Sequence, residues 1–221
     1  MKNKILNFIK ESFIDKISLI FIFIFPIILL TGSSIVNTSI VLMNIFFLIH
    51  VITNKKFQIF NNDIFYLLFA LWSFFIINTL LNDNIANNYQ RAFGFIRFIL
   101  LVFLISYFFS YKGFLYKNAI LYLWTLIFII VSLDLIFEVI FGHNTLGFTS
   151  SYRGRLAGFM GDELKIGHWF LCFSLIILSN FTKQNKKFLF LLFASVIMSF
   201  LIGERANFIR LFLALFILIT F

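Results

Sequence analysis

Long apolar runs dominate this chain, and the polar residues gather in the short links between them. The runs extend from Ile17 to Thr31, Ile35 to Ile52, Ile64 to Leu81, Ala92 to Tyr111, Leu115 to Phe141, Ile166 to Phe181, Phe188 to Ile202, and Phe208 to the end. A membrane-crossing helix needs about 20 predominantly apolar residues, with roughly 17 to 25 observed. The pattern therefore predicts an all-α, polytopic transmembrane helix bundle with seven spans and the start of an eighth. Only Gly32, Ser33 and Ser34 separate the first two runs, so these form a tight hairpin or one of them is short and tilted. Pro26 should kink the first.

Composition agrees with this pattern. The 221 residues are 62% hydrophobic and 12% charged, with a mean hydropathy of +1.02, whereas soluble domains are roughly half apolar and a quarter charged. An integral membrane protein follows. One Pro and ten Gly leave no room for a flexible linker, so residues 1–221 are expected to form a single transmembrane domain, with 142–165 as its one long outer loop. The lone Cys172 excludes an intrachain disulfide. The 36 Phe are lipid-facing filler, near-equivalent to Leu on insertion scales. A net charge of +9 raises nucleic acid as a partner, but such a surface needs clustered basic residues on a water-facing element. Here they are spread between apolar spans. No small-residue cleavage site follows the first run, which makes it an anchor rather than a signal peptide.

Orientation follows from the lysines. Lys2, Lys4, Lys10 and Lys16, then Lys55 and Lys56, Lys112 and Lys117, and Lys183, Lys186 and Lys187 all fall on one face, which the positive-inside rule makes cytoplasmic, together with the N-terminus. Lys165 falls on the other face. The arginines show the opposite bias: Arg91, Arg153, Arg155 and Arg205 lie in outer links, and Arg97 and Arg210 lie just inside outer helix ends. Arginine's planar fork contacts phosphate bidentately and stays charged where water is scarce. This split points to an outer site for an anionic ligand. For Arg97 and Arg210 a snorkelling anchor is the alternative, whereas Arg155 and Arg205 sit beside acids and glycines in RLAGFMGDE and GERANF.

Asp134 and Glu138, four apart on the fifth span, share one helix face. A carboxylate at the bilayer centre costs roughly 2.5 to 3.5 kcal/mol, so both are expected to face the bundle interior or a wet cavity, pairing with an outer arginine or serving binding. Of the histidines, His50 is expected at the cytoplasmic interface, and His143 and His168 lie outside, as interface residues or as a general base. Dinucleotide, P-loop, zinc and Ser-His-Asp patterns are absent.

The strings DLIFEVIFGHNTLGF, RLAGFMGDELKIG and LIGERANFI, with RAFGFIRFILL upstream, resemble the O-antigen ligase and O-antigen polymerase family of bacterial inner-membrane glycosyltransferases. The similarity covers about residues 89–210. It implies transfer of a glycan from an undecaprenyl diphosphate donor to a lipid A core or a polysaccharide chain on the periplasmic face, without a metal or cofactor. Carried onto this chain, Arg155, Arg205, Arg91 and Arg97 would hold the diphosphate. Asp162 and Glu163 would match the motif's acids and orient those arginines, and Asp134, Glu138 and Glu204 are counted with them as supporting acids.

Family members continue through further spans and a large periplasmic loop bearing a histidine base. The run from Phe208 to Phe221 reaches only about 21 Å at 1.5 Å per residue, short of the roughly 30 Å core. That predicts a fragment holding the donor-binding half, with His168 as the candidate for a relocated base. Two other classes compete: a transporter or flippase for a lipid-linked anionic glycan, and an inactive assembly subunit. A transport path would spread charge through the full depth of several helices, whereas here charge gathers in the outer half. The expected geometry is a loop folded over an electropositive cavity lined by Arg155, Arg205 and at least one of Asp134, Glu138 or Glu163. The two arginines should lie within about 20 Å, the reach of two extended side chains and a shared diphosphate.

Overall fold

The computed structural model describes residues 13–81, 85–109, 113–152, 154–163, 165–181 and 185–220. Among these, every regular element is helical. In chain order they are α1 (Phe13–Ile28), α2 (Ser33–Thr53), α3 (Asp63–Leu80), α4 (Ile85–Gly94), α5 (Ile96–Tyr107), α6 (Gly113–Phe141), α7 (Ile166–Phe181), α8 (Asn185–Ile202) and α9 (Arg205–Thr220). Short 3-10 turns lie at Phe57–Phe60 and Gly158–Glu163. Four helical stretches among the described residues are long and apolar enough to cross a membrane: Ser33–Thr53, Asp63–Leu80, Asn88–Tyr107 and Tyr116–Phe141. Lys16–Ile28 and Ile166–Phe181 are apolar but shorter.

The sequence pattern treats 92–111 as one run, but the helix starts earlier and breaks. The polar stretch IANNYQR is already helical in α4, and at Gly94 the ladder tightens: Phe95 N–H donates to Ala92 and Phe98 N–H to Phe95, the i to i+3 spacing of a 3-10 turn. Glycine's poor helix propensity marks the joint. Helix α3 starts on a side-chain cap, with Asn62 Oδ1 accepting from Phe65 N–H at 2.8 Å. Helix α1 ends two residues beyond Pro26, whose ring cannot continue the hydrogen-bond ladder.

The chain packs as two compact units. The first comprises Met1–Ile24 and Ser34–Asn118. Its core is built on Met43, Phe47, Ile99, Phe103 and Leu104. Phe60 lies against Phe47, Phe65 and Phe103, with ring centroids 5.4 to 6.1 Å apart in the edge-on or tilted arrangements that aromatic quadrupoles favour. His50 is buried here rather than interfacial: Nε2 lies 2.9 Å from the Tyr107 hydroxyl, which also accepts from Lys56 Nζ at 2.7 Å.

The second unit comprises Phe25–Ser33 and Ala119–Phe221. Helices α7, α8 and α9 pack on one another around Leu178, Leu211 and Leu215. The buried stripe of α6 runs Trp124, Phe128, Val131, Asp134, Leu135, Glu138, spaced three or four apart as one helix face requires. Trp169 of α7 stacks on Phe128 of that stripe at 6.1 Å, and its indole N–H donates to the Pro26 carbonyl at 2.9 Å. This layer of α6 and α7 is the platform for the loop that joins them.

Candidate functional site

The loop from Gly142 to Lys165 is organised by its own backbone and by carboxylates projecting from helices. Asn144, fully buried, folds the first part: its Oδ1 accepts from Leu146 and Phe148 N–H at 3.0 and 2.7 Å, and its Nδ2 donates to the Gly158 carbonyl at 2.7 Å. Asp134 Oδ1 accepts from Thr145 N–H at 2.9 Å and from its hydroxyl at 2.6 Å. Asp134 Oδ2 is buried without a hydrogen-bond partner among the described residues. Glu138 uses both oxygens, accepting from Ala157 N–H at 2.7 Å and Gly158 N–H at 2.8 Å. Such charge-assisted bonds to two successive amides fix the loop backbone firmly.

The loop then meets the junction of α8 and α9. Leu156 N–H donates to the Ile202 carbonyl at 3.1 Å. Gly203, at φ 78°, turns the chain between the helices, and a Cβ there would run into the Gly154 carbonyl. Both its left-handed backbone and this close approach demand glycine. Next to it, Glu204 Oε1 accepts from Gly167 N–H at 3.2 Å and Oε2 from Asn207 Nδ2. At Gly167 a Cβ would lie 2.6 Å from the Glu204 carboxylate carbon, so a larger residue would displace that carboxylate from the Gly167 N–H. His168, exposed at the start of α7, places Nδ1 3.6 Å from Glu204 Oε2 and Nε2 3.1 Å from Arg210 Nη1. Arg210 also donates to Asn207 Oδ1 at 3.2 Å. A guanidinium can only donate, so Nε2 accepts from Arg210, and Nδ1 lies 3.1 Å from the Asn207 amide nitrogen as well as beside Glu204.

This geometry places the predicted residues as follows. Arg155 and Arg205 are both exposed. The Arg155 Cα lies 3.3 Å from the position of a Gly203 Cβ, and Arg205 is two residues on. Their Cα atoms are thus at most about 12 Å apart. Neither makes an ion pair with a described side chain; the Arg155 guanidinium stands 5.9 Å from the Tyr152 ring centroid. Asp134, Glu138 and Glu204 make no ion pair with a described arginine. All three carboxylates bond to backbone amides or to neutral side chains instead, with His168 beside Glu204. Asp162 and Glu163 lie in the 3-10 turn, and their side chains, like Arg153, lie outside the described residues. His143 hydrogen-bonds through Nδ1 to the Asn144 carbonyl at 3.0 Å, and its ring packs on Phe137.

Arg91 and Arg97 belong to the first unit. Arg91 is exposed on α4 and lines a cleft of about 310 Å³ with Asn78, Thr79 and Asn88. Arg97 is half-buried in the first turn of α5, with Nε unpartnered among the described residues and its guanidinium 4.9 Å from the Phe98 ring centroid. Its carbonyl accepts from Asn44 Nδ2 at 2.7 Å.

The second unit contains a further cleft of about 530 Å³, walled by Leu30, Thr31 and Gly32 on one side and by Gly147, Phe148, Thr149, Ser151, Phe159, Met160 and Gly161 on the other. Among the described residues no three metal-ligating side chains converge. Residues that sequence reasoning missed are Asn207 and the partnership of Arg210 with His168, both carried by the i, i+3 spacing along the start of α9. No protein-family model, curated protein or solved structure matches this chain.

Proposed function

We propose that the protein is an O-antigen ligase-like membrane glycosyltransferase whose Arg155 and Arg205 hold the diphosphate of an undecaprenyl-linked glycan. The observation that carries the proposal is the division of labour between charges. The described carboxylates of Glu138 and Glu204 are committed to Ala157, Gly158, Gly167 and Asn207. Two neighbouring guanidinium groups are thereby left exposed and unpaired among the described side chains. Guanidinium forks set in a fixed backbone suit a diphosphate, whose leaving group gains charge as the glycosidic bond breaks.

In this proposal the remaining apolar helices α1, α7, α8 and α9 also cross the bilayer, giving seven to eight spans. The N-terminus is cytoplasmic, the chain lies in a bacterial inner membrane, and the arginine face opens to the periplasm. The acceptor is a lipid A core or a growing polysaccharide. The test is binding of undecaprenyl diphosphate by the full chain in lipid nanodiscs. Arg155→Ala and Arg205→Ala should each weaken it at least about tenfold, the loss of one charge-assisted contact. Unchanged affinity in both variants, with the protein folded, would remove the diphosphate from this face.

A further inference from the structure

We propose that the cleft between residues 30–32 and 147–161 is a sugar site, taking the uncharged ring nearest the diphosphate of the same lipid-linked donor. The inference rests on the diphosphate assignment for the choice of ligand, but the cleft itself stands on separate observations.

None of the described side chains lining the cleft is ionisable. Among the described residues the lining offers an anionic group no cation, and the exposed Arg155 lies in the same loop, four residues from both Ser151 and Phe159. An acyl chain would have no use for the hydroxyls of Thr31, Thr149 and Ser151 on the rim. Hydroxyls that both donate and accept, set around an aromatic face, match a neutral sugar: its C–H face lies on the ring and its hydroxyl edge meets the rim. The Thr31 hydroxyl already donates to the Ile28 carbonyl at 2.7 Å, so toward a ligand it can serve only as an acceptor.

The platform is held before any ligand arrives. Phe148 N–H donates to Asn144 Oδ1 and its carbonyl accepts from Asn144 N–H, at 2.7 and 2.9 Å. Its ring is 46% exposed and rests against Gly161, where a Cβ would lie 3.7 Å from the ring. The main chain at Phe148 is therefore set, and little backbone ordering is left for binding to impose. A volume of about 530 Å³ lies within the range of small-ligand sites, roughly 300 to 1,000 Å³.

The experiment uses the full chain in nanodiscs and begins with a probe that does not need the arginines. Methyl N-acetylglucosaminide should receive saturation transfer from the wild-type protein and none from Ser151→Trp, which fills the cleft from an exposed rim position and is checked for folding by its melting temperature. No transfer to the glycoside from wild type, or equal transfer from Ser151→Trp, overturns the sugar site. In a second arm, undecaprenyl diphosphate N-acetylglucosamine should bind about tenfold tighter than bare undecaprenyl diphosphate. Ser151→Trp and Phe148→Leu should remove that increment while leaving the bare lipid's affinity unchanged. If wild type does not bind the bare lipid yet transfers saturation to the glycoside, the diphosphate assignment fails and the sugar site stands. If the bare lipid binds but the sugar adds nothing, the reverse holds.

Discussion

Glu138 offers the sharpest test of how the loop is held, because both of its oxygens are occupied. The carboxylate is 4% exposed and accepts from Ala157 and Gly158 N–H at 2.7 and 2.8 Å. A hydrogen bond to a charged group contributes about 1.5 to 3 kcal/mol, and a buried amide left without a partner costs about 1 to 3 kcal/mol. Glu138→Gln keeps the shape but has a single acceptor oxygen. Its amide N–H₂ must face one of the two backbone donors, so one bond is lost and one N–H is orphaned. The expected cost is about 2 to 4 kcal/mol, against about 3 to 6 kcal/mol for Glu138→Ala, which orphans both amides. Hydrogen exchange read by mass spectrometry on the peptide spanning Leu156 to Phe159 reports the opening directly. In Glu138→Gln those amides should exchange at least about 30-fold faster, the factor that corresponds to about 2 kcal/mol. Exchange within about twofold of wild type would refute the claim that this carboxylate anchors the loop.

Two further outcomes follow from the same chemistry. Asp134→Asn should behave oppositely to Glu138→Gln, since Oδ1 alone serves Thr145 and Oδ2 has no partner among the described residues; its melting temperature in detergent should correspond to a change under about 1 kcal/mol, and a collapse would mean that Oδ2 is engaged. Gly203→Ala should cost about 3 kcal/mol or more, from the left-handed backbone and the collision with the Gly154 carbonyl. Thermal unfolding would read this as a fall of about 6 to 12 °C, and an unshifted transition would contradict the packing of residue 154 on residue 203.

Much of the helix layout can be read from hydropathy. The run predicted at 166–181 coincides with α7, and those at 35–52, 64–81 and 115–141 match α2, α3 and α6 to within two residues. The break at Gly94 was not legible, because an apolar window averages over a joint that depends on two i to i+3 hydrogen bonds. At the site, the clustering of Arg155 and Arg205 was anticipated, and so was the inward face of Asp134 and Glu138. What those acids bind was not anticipated. A side-chain pattern records charges that complement each other, but a backbone amide leaves no letter in the sequence. The nearest signal was Gly167, which lets main chain approach the Glu204 carboxylate. Asn144 is similar: its spacing in GHNTLG hints at a turn, while its bond across to Gly158 depends on the tertiary fold.

The anchoring of this loop by buried hydrogen bonds has a consequence for ionic strength. Mobile ions screen exposed charges over about 8 Å in physiological salt and about 3 Å at 1 M, but they hardly reach a carboxylate sealed against amides in the interior. The frame that carries Arg155 and Arg205 is therefore insulated from the electrolyte, while the pull of those arginines on an anion is not. Adding salt should detach an anionic ligand from a loop that keeps its shape, so that occupancy and architecture respond to separate variables.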